Sequence, residues 1–352
     1  MKGFYVEDEQ HIIYMDAKFY SHNPCLLKLK NDTLFVAFRR APQRYPYSSH
    51  IDSESEAVFV VSQDNGITWS QPFLIYKGSN GVQDPSVALL SNGTMIANFF
   101  EWQVVKKEPF NHTALSTGVV FSTDGGKTWD RSPIRVEIPG YIWNGPTEPV
   151  LELPCGDLLM PVYATKNWKS YDALVLRSKD KGYNWNEFSI IGTDPFGNVF
   201  FEEPSLCMTK TGKILTIMRD DKSGFLWSNY SLDEGKTWSV PVKLYIWGCP
   251  ANLLSLRDGR IVVTYGYRRP PFGVRACISE DDGKTWNIKD EIILCSNGAH
   301  GDIGYPSSIE IEDGCVMTAF YTHQGMPADR DNRDIFTHIS GTRYIVYVKY
   351  KV

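Results

Sequence analysis

Six short segments of this chain place a residue directly before a proline and an apolar run directly after it. The residues before the prolines are Asn23, Asp84, Glu148, Glu203, Cys249 and Tyr305. The next apolar run of each segment ends in another group of polar or aromatic residues: Arg39, Arg40, Glu101, Trp102, Lys166, Arg219, Asp220, Arg268, Arg269 and His323. Carboxylates, a phenol and guanidinium groups that converge on one place would form a site for a polar ligand.

An eight-residue pattern, S-x-D-x-G-x-T-W, lies between these segments and recurs five times. Its copies are residues 62–69, 122–129, 178–185, 231–238 and 279–286, with Asn184 at the threonine position of the third. The aspartate can accept hydrogen bonds from nearby backbone N–H groups, and the glycine supplies a left-handed conformation. The tryptophan supplies a large ring to fill the space between adjacent sheets. We therefore predict that these aspartates are structural rather than catalytic.

The apolar runs between these turns are typical of strands joined by tight hairpins, as where Asn92-Gly93 separates two runs. Six small sheets, none able to bury both faces alone, favour radial packing. The sequence predicts an all-β fold: a six-bladed β-propeller of four-stranded antiparallel blades, forming a single domain over residues 1–352. The sixth unit lacks the Asp turn. We expect residues 11–15 to join it as the outer strand and close the ring.

The composition excludes several classes of function. A formal net charge of −5 offers no basic surface for nucleic acid, and no segment has the length and apolarity of a signal peptide or a membrane span. The seven cysteines are scattered without C-x-x-C spacing, which favours buried thiols over disulfides or a zinc site. We expect a cytoplasmic protein without metal, cofactor, nucleic-acid partner or membrane partner, and the oligomeric state stays open.

The predicted propeller brings the polar residues to one mouth. If the first strand of each blade is innermost, the residues before the prolines form a ring at one end of the axis. The second strand is antiparallel, so its end returns to the same face. The residues that this arrangement favours for function are Glu203, Tyr305, Arg219, Arg268 and Arg269. Three tryptophans suit sugar stacking and rim packing equally well: Trp102, Trp143 and Trp168.

Asp turns on a six-bladed propeller resemble the sialidase (neuraminidase) superfamily, and the resemblance covers nearly the whole chain. Sialidases use a tyrosine nucleophile at the start of the last blade, and Tyr305 in Gly304-Tyr305-Pro306-Ser307 matches that place. In the family a glutamate polarises this tyrosine and an arginine follows on the next strand, which Glu203 and Arg219 match.

The resemblance implies further site residues. Another family arginine precedes the last Asp turn, and Arg268 or Arg269 matches it better than Arg275 does. The family's acid/base aspartate lies in the loop before the first Asp turn, where Asp52 matches best and His50 comes next.

Two positions depart from the family pattern. The first arginine of the family's triad is replaced by His22, and the glutamate that steadies it is replaced by Thr322. Both halves of one ion pair are therefore missing together. Arg39 and Arg40 are the candidates to supply the lost cation.

The resemblance implies a retaining glycoside hydrolase that cleaves a terminal acidic sugar: a sialic acid, or a related keto-acid or uronic sugar. Because the ordinary pKa of a phenol is near 10, Tyr305 needs a base, which would be Glu203. A neutral phenol also avoids the repulsion that a second carboxylate would exert on an acidic substrate. The arginines would hold the substrate carboxylate in bidentate pairs, and Asp52 would protonate the leaving oxygen.

Other functions stay open on the same fold, because function depends on the site. An inverting hydrolase would use a pair drawn from Asp84, Glu148 and Glu203. A lyase would abstract a proton with His22, His50 or Tyr305. The third alternative is a non-catalytic glycan-binding propeller. In each case the expected partner is a carbohydrate.

Overall fold

The computed structural model describes residue 6 and residues 9–44, 48–106, 111–324 and 342–352. Within these residues the chain forms 25 β-strands and a single 3-10 turn, Ile288–Asp290. The strands form six antiparallel sheets, which are the blades of a β-propeller. The predicted all-β, six-bladed architecture is therefore confirmed.

The chain begins with an outer strand and then builds three blades in order. The first strand is β1 (His11–Tyr14). Blade 1 consists of β2 (Phe19–Lys28), β3 (Leu34–Pro42), β4 (Glu56–Ser62) and β5 (Phe73–Tyr76). Blade 2 consists of β6 (Gly81–Leu89), β7 (Met95–Lys106), β8 (Asn111–Ser122) and β9 (Ile134–Arg135). Blade 3 consists of β10 (Trp143–Gly145), β11 (Leu151–Glu152), β12 (Leu158–Thr165), β13 (Asp172–Ser178) and β14 (Glu187–Gly192). In blade 3 both β10 and β11 pair with β12, so the inner strand is interrupted.

The second half of the chain builds the other three blades. Blade 4 consists of β15 (Phe201–Met208), β16 (Ile214–Asp220), β17 (Phe225–Ser231) and β18 (Val242–Trp247). Blade 5 consists of β19 (Ala251–Ser255), β20 (Ile261–Tyr267), β21 (Phe272–Ser279) and β22 (Ile292–Gly298). Blade 6 consists of β23 (Gly304–Glu312), β24 (Cys315–Gln324), β25 (Thr342–Lys351) and β1.

The ring closes where the beginning and the end of the described chain meet. Strand β1 pairs antiparallel with β25, with His11 opposite Tyr347. It therefore forms the outer edge of blade 6, as predicted for residues 11–15. This pairing covers an edge that a linear array of blades would leave open.

The apolar core lies between the blades. One buried cluster fills each of the six interfaces between neighbouring sheets. In blade 1, for example, Phe35 and Val36 are adjacent in sequence, yet both are fully buried. They belong to the interfaces with blade 2 and blade 6 respectively. Because both faces of a blade are covered, its strands are nearly continuous apolar runs.

The Asp turns connect the third and fourth strands of blades 1 to 5. In the second copy, Asp124 accepts hydrogen bonds from Ser122 Oγ at 2.8 Å, the Thr128 backbone N–H at 2.9 Å and Thr128 Oγ1 at 2.6 Å. These bonds lower the pKa of Asp124 to about 2. The Trp129 indole donates to the carbonyl oxygen of Gly126 at 3.1 Å, and its ring packs against the interface of blades 1 and 2. The structure thus agrees with the structural role predicted for these aspartates.

All seven cysteines lie in the described part of the chain, and none forms a disulfide. The expectation of buried thiols is wrong for Cys155, which is exposed in a hairpin turn, and Cys315 is only half-buried. Among the described residues no helix is long and apolar enough to span a membrane.

Candidate active site

Four of the six residues before the prolines have the same unusual backbone conformation. The φ angles are 54° for Asn23, 49° for Asp84, 48° for Glu203 and 47° for Tyr305. Each residue lies where the register between the first two strands of its blade shifts. A left-handed conformation is costly for residues with a Cβ, and such strain concentrates at functional sites. The irregularities place four different polar residues at equivalent points of four blades.

The centre of the site is the contact of Tyr305 with Glu203. The Tyr305 hydroxyl donates a hydrogen bond to Glu203 Oε1, and Arg219 Nη1 donates to the other oxygen, Oε2, at 2.9 Å. Glu203 is only 4% exposed. Burial, and next the charges of Glu203 and Asp84, raise the pKa of Tyr305 well above its usual value. The resting phenol is therefore neutral, and a carboxylate is in place to take its proton.

Two arginines flank this contact. Arg268 Cζ lies 5.6 Å from the centre of the Tyr305 ring, and its Nη2 donates to the Tyr321 hydroxyl at 3.4 Å. Arg219 donates to Glu203 through Nη1 and to Asp221 through Nη2, and its buried Nε has no hydrogen-bond partner among the described residues. Its guanidinium is therefore fixed between two carboxylates.

Two of the sequence candidates are not brought to this centre. Arg40 pairs with Glu56 at 2.7 Å and donates to the Tyr14 hydroxyl at 3.2 Å. Arg269 is exposed, with Cζ 3.6 Å from the centre of the Trp247 indole. Successive side chains along an extended strand point to opposite faces. Arg39 on β3 therefore points away from Arg40. Arg268 and Arg269 lie beyond the end of β20, and of these two Arg268 contacts Tyr305.

A chain of hydrogen bonds connects Arg39, His22, Asn23 and Asp84. Arg39 Nη1 contacts His22 Nε2 at 2.7 Å, His22 Nδ1 contacts Asn23 Oδ1, and Asn23 Nδ2 contacts Asp84 Oδ1. Since a guanidinium can only donate, His22 must accept at Nε2 and donate from Nδ1. Burial, and next the charge of Arg39, hold the pKa of His22 well below its usual value. His22 is therefore a neutral imidazole with the Arg39 guanidinium behind it.

Asp84 and Glu148 are the other carboxyl groups of the ring. Gln83 Nε2 also donates to Asp84 Oδ1, at 2.7 Å, so both amide donors meet the same oxygen. Glu148 Oε2 accepts from Asn252 Nδ2 at 3.0 Å. The pKa of each of these two carboxyl groups is raised to about 8, mainly by burial and also by the charge of Glu203. Both groups are mostly protonated at neutral pH.

The structure also reveals a buried charge cluster that the sequence reasoning missed. Asp302, whose side chain is 1% exposed, pairs with Arg343 Nε at 2.8 Å and accepts from the Tyr321 hydroxyl at 2.6 Å. Burial alone would raise the pKa of Asp302, but Arg343, His50 and Tyr321 together hold it well below its usual value. The only signal in the sequence was a carboxylate three residues before Tyr305.

The two acid/base candidates have different surroundings. Asp52 is bound by Arg44 through Nε at 3.0 Å and Nη2 at 3.2 Å. His50 Nε2 lies 3.2 Å from Asp302 Oδ1 and 3.0 Å from the Tyr20 hydroxyl. The imidazole rings of His50 and His22 are 4.8 Å apart, so His50 borders the hydrogen-bonded chain. Within the described ranges, no three His, Cys, Asp or Glu side chains are grouped to hold a metal ion.

Residues 99–318, more than half of the chain, match the model of the BNR repeat-like domain family. The chain belongs to this BNR repeat-like family. Residues 60–71, which include the first Asp turn, also match the BNR/Asp-box repeat. No curated protein matches this BNR protein.

Solved structures share the fold. A protein of unknown function from Dyadobacter fermentans is 28% identical, with a TM-score of 0.86 and 100% of both chains covered. The Hadza microbial sialidase Hz136 is 18% identical, with a TM-score of 0.69 over 95% of this chain and 66% of its own. A point mutant of the NanB sialidase from Streptococcus pneumoniae is 14% identical, with a TM-score of 0.72 over 97% and 70%. This BNR protein is therefore a sialidase-like propeller, and the likeness to the two sialidases concerns the fold alone.

Proposed function

We propose that this BNR protein is a retaining glycosidase that releases a terminal acidic sugar from a glycan. The observation that supports this most directly is the bridged carboxylate of Glu203, which contacts both the Tyr305 hydroxyl and Arg219. A phenol paired with a buried base can act as a nucleophile, and the neighbouring guanidinium groups suit an acidic substrate.

The reaction proceeds in two displacements. In the first, Tyr305 Oη attacks the anomeric carbon while Glu203 accepts the phenolic proton, and the glycosidic bond breaks as its oxygen is protonated. The product of this step is a sugar joined covalently to Tyr305. In the second, a deprotonated water displaces the phenolic oxygen, which recovers its proton from Glu203. Two inversions give overall retention.

The charges of the site favour a substrate with one carboxylate next to the reacting carbon. Arg219 and Arg268 supply positive charge at Tyr305. Asp84 and Glu148 add little negative charge at neutral pH, because the pKa of each is raised to about 8. Sialic and keto-deoxy sugars meet this requirement, whereas a uronic sugar carries its carboxylate on C5, on the other side of the ring oxygen. With a neutral His22 in place of the first arginine of the family's triad, weaker binding of an ordinary sialic acid is expected.

The acid that protonates the leaving oxygen is assigned to Asp52. Its carboxylate is held by Arg44, a residue whose side chain is 47% exposed. Proton transfer by Asp52 therefore requires Arg44 to move towards solvent when substrate binds. His50, backed by Asp302, is the next candidate because a carboxylate partner orients an imidazole for proton transfer.

The test is hydrolysis of aryl glycosides of sialic, keto-deoxy and uronic sugars by the wild type and by Tyr305→Phe. The variant should lose kcat by about 1,000-fold or more, because it lacks the nucleophile, and should still bind the product sugar. The matched control is Tyr350→Phe, which removes a buried hydroxyl that contacts Thr318 Oγ1 at 3.2 Å in blade 6. A fluorinated substrate should label Tyr305, as seen by peptide mass spectrometry. Labelling elsewhere, or full activity of Tyr305→Phe, would rule out this mechanism.

A lyase is the second candidate, favoured by the buried contact between His50 and Asp302. A lyase would leave an unsaturated sugar with ultraviolet absorbance, and a hydrolase would not. A purely glycan-binding propeller would bind these sugars without any turnover.

A further inference from the structure

A line of aromatic rings runs from the inner strand of blade 3 to its rim. The ring of Trp143 lies 5.0 Å from that of Tyr163 and 5.7 Å from that of Trp168, measured between centroids. Tyr163 lies opposite Gly145 of β10, the first part of the inner strand of blade 3. The three rings therefore run from the inner strand to solvent.

The strand register places this line on the face of the mouth. In blade 3, Trp143 at the start of β10 pairs with Thr165 at the end of β12. The start of the inner strand is the end at which Glu203 and Tyr305 lie in blades 4 and 6. Trp168 is the third residue after the end of β12, so it lies at the same face.

Trp143 and Trp168 differ in exposure. Trp143 is 3% exposed and is enclosed by Phe100 and Tyr163, so it serves as packing. Trp168 is 49% exposed, although tryptophan usually buries most of its surface. The sequence allowed either packing or sugar stacking for these tryptophans. Trp143 is used for packing, whereas the outer face of Trp168 is available for a ligand.

The backbone holds Trp168 in place at an energetic cost. Its φ angle is 59°, a left-handed conformation that a bulky residue rarely adopts. The backbone N–H of Trp168 donates to Thr165 Oγ1 at 2.9 Å, and the N–H of Lys169 donates to Asn167 Oδ1 at 2.8 Å. These hydrogen bonds fix the backbone of the turn, so ligand binding to the indole costs little backbone conformational entropy.

We propose that Trp168 is the stacking platform for the neutral sugar from which the acidic sugar is cleaved. This inference rests on the proposed function. A pyranose has an apolar C–H face and a polar edge, and an indole beside exposed polar groups complements both. The side chains of Asn167 and Lys169 are exposed next to the ring and can meet sugar hydroxyls. The continuous line of rings to Tyr163 favours a sugar adjoining the reaction centre over a separate protein partner.

The experiment compares two substrates of the same acidic sugar, one joined to an aryl group and one joined to a disaccharide. Trp168→Ala should raise KM for the oligosaccharide about 10-fold, which corresponds to the loss of one stacking contact. For the aryl glycoside both kcat and KM should stay within about two-fold of the wild-type values. Trp168→Phe should restore most of the affinity. The control is Tyr183→Ala in the third Asp turn, which removes a 58% exposed ring that stacks on Phe121 of β8.

Equal increases in KM for both substrates, or no change in KM for the oligosaccharide, would overturn the proposal that Trp168 stacks on the neutral sugar. If the wild type turns over neither substrate, the proposed function fails separately. Calorimetry then decides with sialyllactose and a uronic-acid trisaccharide as probes. Binding to the wild type that Trp168→Ala weakens about 10-fold supports the platform, and equal or absent binding refutes it.

Discussion

The Tyr305 hydroxyl and the Glu203 carboxylate are hydrogen-bonded to each other, although 102 residues separate them in the sequence. Both residues open the inner strand of their blade, precede a proline, and have φ angles within one degree of each other, 47° and 48°. Repetition of one local irregularity in two blades thus brings a phenol and a base into contact.

Glu203→Gln should retain the fold and lose activity. The amide can still accept the hydrogen bond of Tyr305, but it cannot take the proton, so we expect kcat to fall by about 100- to 10,000-fold. The control is Glu202→Gln: burial raises the pKa of Glu202 to about 8, so its carboxyl is already mostly neutral at pH 7. Steady-state kinetics on an acidic aryl glycoside measures both. Similar losses in the two variants would contradict the assignment of the base.

Arg268→Met should weaken substrate binding more than turnover. Loss of a charge-assisted pair with the substrate carboxylate should raise KM about 10- to 100-fold. Arg269→Met removes a guanidinium that stacks on Trp247 and should leave KM within about two-fold. The reverse order of effects would mean that Arg269 holds the carboxylate and that the geometry described here does not represent the bound state.

Asp84→Asn should change how stability depends on pH. In the folded protein Asp84 keeps its proton up to about pH 8, whereas an unfolded chain releases it near pH 4. The folded state therefore binds more protons between these values, and the wild type loses stability as pH rises through this window. The free energy of unfolding of Asp84→Asn, relative to that of the wild type, should rise by about 1.4 kcal/mol per pH unit between about pH 4 and pH 8. Urea unfolding at several pH values measures this slope, and a constant difference would show that Asp84 is ionised in the native protein.

His22→Phe should destabilise the fold through Arg39. Without the imidazole, the buried Nη1 of Arg39 loses its acceptor, which should cost about 1–3 kcal/mol. The double variant His22→Phe/Arg39→Met should cost less than the sum of the single variants, since it removes donor and acceptor together. A double-mutant cycle by chemical denaturation gives the coupling. Strict additivity would show that the two side chains do not depend on each other.

Asp124→Ala should lower the midpoint of unfolding without affecting activity at permissive temperature. The hydrogen bonds from Thr128 and Ser122 lower the pKa of Asp124 to about 2. A lowered pKa contributes stability above about pH 4 that is lost as pH falls towards 2. The difference in midpoint between wild type and variant should therefore be constant above about pH 4 and shrink below it. Loss of catalysis in a fully folded variant would contradict the structural role.

Part of the site could be predicted from the sequence, because the strand pattern that positions its residues repeats along the chain. The prolines marked the inner strands, and antiparallel pairing then required Glu203 and Arg219 to return to the same end of blade 4. Local pattern was sufficient here because the two residues belong to one hairpin. The same reasoning could not choose between Arg39 and Arg40, or between Arg268 and Arg269. For Arg39 and Arg40 the choice depends on which face of β3 turns inwards beyond the bulge, and for Arg268 and Arg269 it depends on the turn that follows β20.

The chain from Arg39 to Asp84 and the cluster around Asp302 were not predicted. The sequence offered Arg39 and Arg40 alike as replacements for a lost cation, and it did not show that Arg39 would bond to His22. Asp302 lies 41 residues from Arg343, its partner on the last strand. The contact of Asn23 with Asp84 joins blades 1 and 2, and that of His50 with Asp302 joins blades 1 and 6. These contacts have no fixed spacing in the sequence, because only the closed ring brings their side chains together.

The sequence by itself determined the number of blades, the Asp turns and the residues that begin each inner strand, since all of these follow from local hydrogen bonds and apolar periodicity that repeat along the chain. Only the tertiary structure decided which polar groups touch, which of them remain neutral and which tryptophan faces solvent. Those properties depend on burial and on charges contributed by blades distant in the sequence, and burial exists only after six sheets have closed around a common axis.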